Sequence, residues 1–226
     1  MISPLEHRVI SHFPNVAYNV VAIAASRGGL KAISQIVSAL PADFPAAIIV
    51  VQHLSPHYPS YMAEILSRRT ALRVKQAEDG ELLRIGTVYT AVPNKHLLVN
   101  QNGTLSLSDT PKVNFVRPAA DKMFASVAAN FQGRAIAVVL TGGDGDGRLG
   151  VVAIKKSGGI VIAQDEASCE CFSMPQSAIN TGTVDFVLPL DAIAHQLVSL
   201  VMTEKVPSPK LFSKSSHSYG GLMSAI

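Results

Sequence analysis

Val20-Val21-Ala22-Ile23-Ala24-Ala25-Ser26-Arg27-Gly28-Gly29 is the stretch on which the reading of the chain turns. Six apolar residues end abruptly in a serine, and Leu30, Ala32, Ile33, Ile36 and Val37 follow at helical spacing. The run is too short for a core helix and fits a strand buried on both faces of a parallel sheet. Ser26 therefore falls where a strand turns into a helix, beside backbone N–H groups at a helix N-terminus. That is the placement of a nucleophile elbow, which sets a serine Oγ beside oxyanion donors. The elbow pattern G-x-S-x-G reads Ala24-Ala25-Ser26-Arg27-Gly28 here, with alanine in place of the first glycine. A plainer alternative makes Ser26 the N-cap of the helix.

Outward from this unit the pattern repeats. Ala46–Val51 is a second buried strand ending in Gln52-His53, followed by a helix over about Tyr58–Arg69 with Pro56 and Pro59 near its start. Strand, helix, strand, helix implies βαβ units. From Leu72 to Ser108 short alternating pieces are separated by Asp79-Gly80, Pro93-Asn94 and Asn102-Gly103, which predicts an antiparallel hairpin appended to the core. A helix over Pro118–Phe131, a strand Ala135–Leu140 and a glycine-dense turn Thr141–Gly147 come next. A helix Arg148–Lys156, a strand Gly159–Ala163, a loop holding both cysteines, a strand at Phe186–Leu188 and a helix Asp191–Thr203 complete the reading. The expected fold is α/β: a doubly wound, mostly parallel sheet with helices on both faces and that one hairpin. Residues 1–18 read as an irregular arm, 19–204 as a single domain and 205–226 as a flexible tail.

Composition narrows the class. A chain of 226 residues with 48% hydrophobic and 15% charged residues describes a globular domain with a large core. No apolar run approaches the length of a membrane helix and no signal peptide is evident, so a cytoplasmic location without membrane insertion is expected. The net charge of +3 resides in the tail, where Lys205, Lys210 and Lys214 face no acid. The rest of the chain is neutral and offers no case for nucleic acid binding. Cys169 and Cys171 lack the partners of a disulfide framework or a four-ligand zinc site. No cofactor is implied.

Ligands and catalytic groups of open α/β sheets gather at the carboxyl ends of the strands. Three such ends are chemically loaded: Ser26, His53, and Asp144 or Asp146. Nucleophile, base and acid thus converge as in a Ser-His-Asp hydrolase. His57 is the reserve base. A rival lies in Gly145-Asp146-Gly147-Arg148-Leu149-Gly150, a literal G-x-G-x-x-G after a strand, with Asp165 twenty residues past Gly145. Against nucleotide binding stand its late position in the chain and two aspartates where a pyrophosphate would sit. Glu78, Asp79 and Glu81 read as a solvated hairpin tip. Asp144 and Asp146 lack the remaining ligands of a calcium loop. Glu170 between the cysteines reads as part of a loop.

Seven collinear motifs then carry a resemblance. They are Ala24–Gly29, Val51-Gln52-His53, Ala77–Gly80, Pro93–His96, Arg117-Pro118, Leu140-Thr141-Gly142 with Asp146-Gly147, and Ala163–Cys169. Over residues 19–203 the chain resembles the catalytic domain of CheB-type chemotaxis protein-glutamate methylesterases. The resemblance places the catalytic serine, histidine and aspartate on Ser26, His53 and Asp146. It implies hydrolysis of glutamate γ-methyl esters on the cytoplasmic helices of chemoreceptors, with glutamine deamidation as a companion activity. The turn Gly145–Gly150 then presents Asp146 rather than a nucleotide. The N–H groups of Arg27 and Gly28 are the expected oxyanion donors, and the Arg27 side chain is a candidate for docking acidic receptor residues. Ala24, Arg27 and Gly143 depart from the family's usual glycine, small residue and methionine. Residues 1–18 cannot hold the receiver domain that family members usually carry, so a stand-alone member or a fragment is expected, with a separate receiver-type regulator among its partners. The alternative is an esterase-like module that binds a receptor without turnover.

Overall fold

Three runs, Val20–Ala25, Ala47–Gln52 and Ala135–Val139, are buried almost without a break. Strands with no polar face must be covered on both sides, and this requirement sets the architecture. The computed structural model describes residues 20–53 and 55–202. The arm predicted at 1–18 and the tail predicted at 205–226 lie outside the described residues. In chain order the elements begin β1 (Val20–Ala25), α1 (Gly29–Ala39), β2 (Ala47–Gln52), α2 (Met62–Ser67), β3 (Arg73–Gln76) and β4 (Thr87–Thr90). They continue with β5 (His96–Val99), β6 (Leu105–Ser108), α3 (Ala120–Phe131), β7 (Ala135–Val139), α4 (Arg148–Lys156), β8 (Ile160–Gln164), α5 (Ser173–Ile179), β9 (Phe186–Leu188) and α6 (Leu190–Met202).

Seven strands form one sheet in the order β3-β4-β2-β1-β7-β8-β9, every pairing parallel. Alternation along β1 divides the core. Val21, Ile23 and Ala25 pack with Ile33, Ile36, Leu66, Ile193 and Leu197 from α1, α2 and α6. Val20, Ala22 and Ala24 pack with Phe124, Val127, Val151, Ile154 and Met174 from α3, α4 and α5. The expected doubly wound sheet is present, and β5 and β6 form the appended antiparallel hairpin in the register Leu97↔Leu107. Its β5 strand is fastened to α3: Val99 N donates to Ser126 Oγ at 3.0 Å and Asn130 Nδ2 donates to the Val99 carbonyl at 2.9 Å.

The region before the hairpin differs from its reading as antiparallel pieces. β3 and β4 extend the parallel sheet, in the register Val74↔Val88. Thr87–Thr90 is buried throughout and lies between β2 and β3, where a solvent-facing hairpin strand could not be. Glu78, Asp79 and Glu81 are likewise no free tip. Lys75 Nζ bonds Glu78 and Glu81, each at 2.8 Å, and Asp79 Oδ1 accepts from Leu107 N, which staples the loop to β6. Helix α2 is shorter than Tyr58–Arg69: it runs Met62–Ser67, with Tyr61 at its N-cap and Arg68 at its C-cap, and Pro59 disfavours helix at Tyr58. The loop holding the cysteines continues into α5, whose Met174 and Ala178 bury at a spacing of four.

Helices α3 and α4 meet where Gly150 lies against Phe124; a Cβ at Gly150 would stand 2.5 Å from Phe124 Cβ and 3.2 Å from Asp121 Cα. Gly→Ala in a helix ordinarily gains about 1 kcal/mol. Here overpacking should reverse the sign, and Gly150→Ala is expected to destabilise by about 1–2 kcal/mol, read as a lower urea midpoint.

Candidate active site

The chain leaves β1 toward β2 on one side and later returns as β7 on the other, so the crevice between β1 and β7 is the topological switch point of the sheet. The loaded strand ends meet there. Ser26 N donates to the Thr141 carbonyl at 2.9 Å, and His53 N donates to the Ala25 carbonyl at 3.1 Å. The ends of β1, β2 and β7 are thereby tied together.

Ser26 is partly exposed and is not a helix cap. The N-cap of α1 is Gly28, at φ +77°, with no side-chain cap bond. The left-handed residue of this turn thus lies two positions after the serine, whereas Ser26 has no positive φ. Gly28 is required twice over, since a Cβ there would also stand 2.8 Å from the Glu170 carboxylate. Gln52 Nε2 holds the Ser26 carbonyl at 2.5 Å, and its Oε1 lies where a Gly29 Cβ would be. The backbone of Ser26 is clamped from the ends of two neighbouring strands, β2 and β7, while among the described residues nothing hydrogen-bonds its Oγ. Neither the Arg27 nor the Gly28 N–H has an acceptor among the described residues.

His53 is nearly buried, with 11% of its side chain exposed, and lies between two carboxylates. Nε2 is 2.8 Å from Asp146 Oδ2 and Nδ1 is 2.9 Å from Asp144 Oδ2. Burial favours the neutral ring, but bonds and charge from both aspartates outweigh it and raise the pKa from 6.5 to about 9. Asp144 is held below the ordinary carboxylate range: burial opposes this, and the His53 bond and the Asp146 N–H prevail.

Asp146 is buried and its carboxylate is fully used. Oδ2 accepts from Ala120 N at 2.5 Å as well as from His53, and Oδ1 accepts from Asp121 N at 3.0 Å and Gly147 N at 2.9 Å. Helix α3 has no capping side chain of its own, so Asp146 caps it from the far side of the sequence. The favour is returned. Asp121 Oδ1 accepts from Gly150 N at 2.8 Å in the first turn of α4, whose N-cap is a glycine. His96 completes the frame: buried, it accepts from Ala119 N through Nδ1 and holds the Pro111 carbonyl through Nε2, as a neutral ring whose pKa burial lowers.

Ser26 and His53 lie at the adjacent ends of β1 and β2, and Asp146 lies on the turn after β7. His53 contacts Asp146, and Asp144 shares the ring. His57 is exposed and holds neither aspartate. The dinucleotide reading of Gly145–Gly150 is overturned, because carboxylates already accept from Gly147 N and Gly150 N, where a pyrophosphate would bind. Cys169 and Cys171 are free, and burial pushes the Cys169 thiol up to about 11. Arg27 pairs with Glu170 at 3.7 Å, both side chains mostly exposed, a contact of little energetic weight. Reading by strand ends missed Asp121, His96 and Phe115. Phe115 is 95% exposed in a tight turn between Val113 and Val116, at φ +67°, and with Lys112, Arg117 and Pro56 it lines a cavity of about 70 Å³ that His53 also lines.

Comparison with known proteins identifies the family. Residues 21–197 match the CheB methylesterase family. The chain is 40% identical over 190 residues to protein-glutamate methylesterase/protein-glutamine glutaminase 2 of Methanosarcina mazei, covering 81% of this chain and 52% of that protein. It is 43% identical over 188 residues to the protein of the same description from the group 3 operon of Rhizobium meliloti, covering 83% and 53%. The crystal structure of the Thermotoga maritima CheB methylesterase catalytic domain superposes with a TM-score of 0.79 at 41% identity, covering 82% of this chain and all of that one. The chain spans about half the length of the curated relatives it matches.

A ring whose pKa is raised on folding holds its proton more tightly in the folded state. The stability it contributes is complete below 6.5 and is lost as pH climbs through about 9. The unfolding free energy should fall across that window by up to about 3 kcal/mol, and His53→Gln should flatten the slope in urea titrations. Asp146→Ala should cost about 3–5 kcal/mol, seen as a depressed thermal midpoint, because it uncaps α3 and strands a charged ring.

Proposed function

Because the chain belongs to the CheB methylesterase family, we propose that it is a serine hydrolase that removes methyl esters from glutamate side chains. The observation that carries this is the position of Ser26 at the end of β1, next to the end of β2, whose His53 is paired with Asp146. In this reading Ser26 Oγ is the nucleophile, His53 its base, and Asp146 orients the imidazole and stabilises its charged form. Nε2 of His53 is committed to the buried Asp146, so Nδ1, which faces Asp144 in the structure, is the nitrogen assigned to take the Ser26 proton. Oγ attacks the ester carbonyl, the oxyanion forms against the free N–H groups of Arg27 and Gly28, and the His53 proton passes to the departing methoxide. Methanol leaves. Water then gives a proton to His53 as it attacks the acyl-serine carbonyl, and the ring passes that proton to the departing Ser26 Oγ, which restores the enzyme and releases the glutamate.

The relatives' description as protein-glutamine glutaminases supports the same chemistry on a side-chain amide, with ammonia as the leaving group. The proposed substrate is the cytoplasmic domain of a methyl-accepting chemoreceptor, met in the cytoplasm. A receiver-type regulator, on a separate protein or elsewhere in a longer chain, completes the proposed partners. No helix among the described residues is long and apolar enough to cross a membrane.

Methanol release from methylated receptor membranes, measured for the wild type and Ser26→Ala together, tests the reading. The variant should lose several orders of magnitude in rate, since triad members act as a unit. Equal release from both proteins would remove Ser26 from the mechanism. Absence of release from both, with Ser26 also inert to a serine-reactive phosphonate, would favour a binding module without turnover.

A further inference from the structure

The contacts of His53 set a proton count. Its two ring nitrogens face Asp146 Oδ2 at 2.8 Å and Asp144 Oδ2 at 2.9 Å. An ionised carboxylate only accepts hydrogen bonds, so each nitrogen must carry a proton and the ring is an imidazolium. An imidazolium cannot take a proton from a serine. In addition, Asp144 occupies Nδ1, the nitrogen the proposed mechanism assigns to Ser26.

The two carboxylates are built differently. Asp146 is buried and bound by three backbone N–H groups besides the ring. Asp144 is 41% exposed at its side chain; apart from the ring, among the described residues it accepts only from Asp146 N, through Oδ1 at 3.0 Å. Rotation of Asp144 toward solvent breaks its bond to His53 and its bond from Asp146 N, and leaves the N–H bonds that hold Asp146 to α3 in place. One aspartate is fixed and the other can leave.

We propose that Asp144 is a positioning residue that latches His53 in a protonated, resting state, and that the base becomes competent when Asp144 releases Nδ1 to Ser26. This inference rests on the reading of Ser26 and His53 as nucleophile and base. On release the ring gives its Nδ1 proton to water, keeps its Nε2 proton on Asp146, and presents a lone pair at Nδ1. The charges around the ring come from several elements. Asp144 and Asp146 lie on the β7–α4 turn, Lys112 and Arg117 on the loop before α3, Asp121 on α3, His96 on β5, and Arg27 with Glu170 beside the β1–α1 turn. Arg117 is engaged by Asn94 and the Asp109 and Thr110 carbonyls, Asp121 by Gly150 N, and His96 is neutral. The aspartates are the charges that set the proton affinity of His53, and its pKa near 9 agrees with the latch.

The test compares wild type, Asp144→Asn and Asp144→Ser. Asp144→Asn keeps an acceptor for Asp146 N and removes the charge; Asp144→Ser shortens the side chain and guards against a substitute bond from asparagine. The ring of His53 is titrated by NMR in labelled protein, assigned with His53→Gln, while kcat/KM on a small glutamyl methyl ester peptide is followed against pH. The wild-type ring should titrate near 9 and both variants lower by more than roughly one pH unit. At neutral pH the variants should turn over several-fold faster, and their rate profiles should shift to lower pH by the same amount as the ring. An unchanged ring titration in both variants overturns the latch. So does a lowered titration with slower neutral turnover, which would make Asp144 an aid to the base. If no protein turns over at any pH, the esterase reading fails and the ring titration alone decides whether Asp144 holds the proton.

Discussion

The carboxylate of Asp146 is the contact on which the rest of this site depends. It is a buried charge, and a buried charge survives only when hydrogen bonds replace the water it has lost. Here the replacement comes from the first N–H groups of α3, from the N–H of Gly147 and from the imidazole of His53. One side chain thereby satisfies a helix that carries no cap, anchors the glycine-rich turn after β7, and fixes the ring of the proposed base. Asp121 performs the reciprocal service for α4. The two helices cap each other across their own junction, and neither cap can be lost without disturbing the partner.

This exchange explains which parts of the molecule were legible in the sequence. The apolar runs of β1, β2 and β7 have no polar face, so a parallel sheet covered on both sides followed from local pattern alone. The strand ends then supplied Ser26, His53 and a choice between Asp144 and Asp146. That choice could not be made locally, because two aspartates two residues apart in a turn of glycines have nearly the same surroundings in sequence. What distinguishes them is the start of α3, twenty-five residues upstream of Asp146, whose open N-terminus takes Asp146. The N-cap reading of Ser26 failed for a similar reason. Serine fits a cap chemically, but the cap position falls at a left-handed residue that must be glycine because Glu170 crowds it.

The misread edge of the sheet has its own cause. Short alternating strands carry no mark of direction, and β3 and β4 became parallel because β4 had to fill a buried slot beside β2. The turn signals were real. Asn102-Gly103 lies in the loop between β5 and β6, while Asp79-Gly80 shapes a loop whose carboxylates brace it against Lys75 and β6. A turn signal states that the chain bends, and the packing decides what pairs with what.

Stability and reactivity pull on His53 in opposite directions. With a carboxylate on each nitrogen the ring is well satisfied, and its proton is held more tightly in the folded protein than in the unfolded chain. The same proton occupies the lone pair that a nucleophilic serine needs. Asp146 cannot relieve this conflict, because moving it would expose the start of α3. Asp144 can, since it is half in solvent and bears no part of the helix frame. In the proposed latch, a locked aspartate keeps the buried charge stable while a half-exposed one leaves the proposed base free to be switched on.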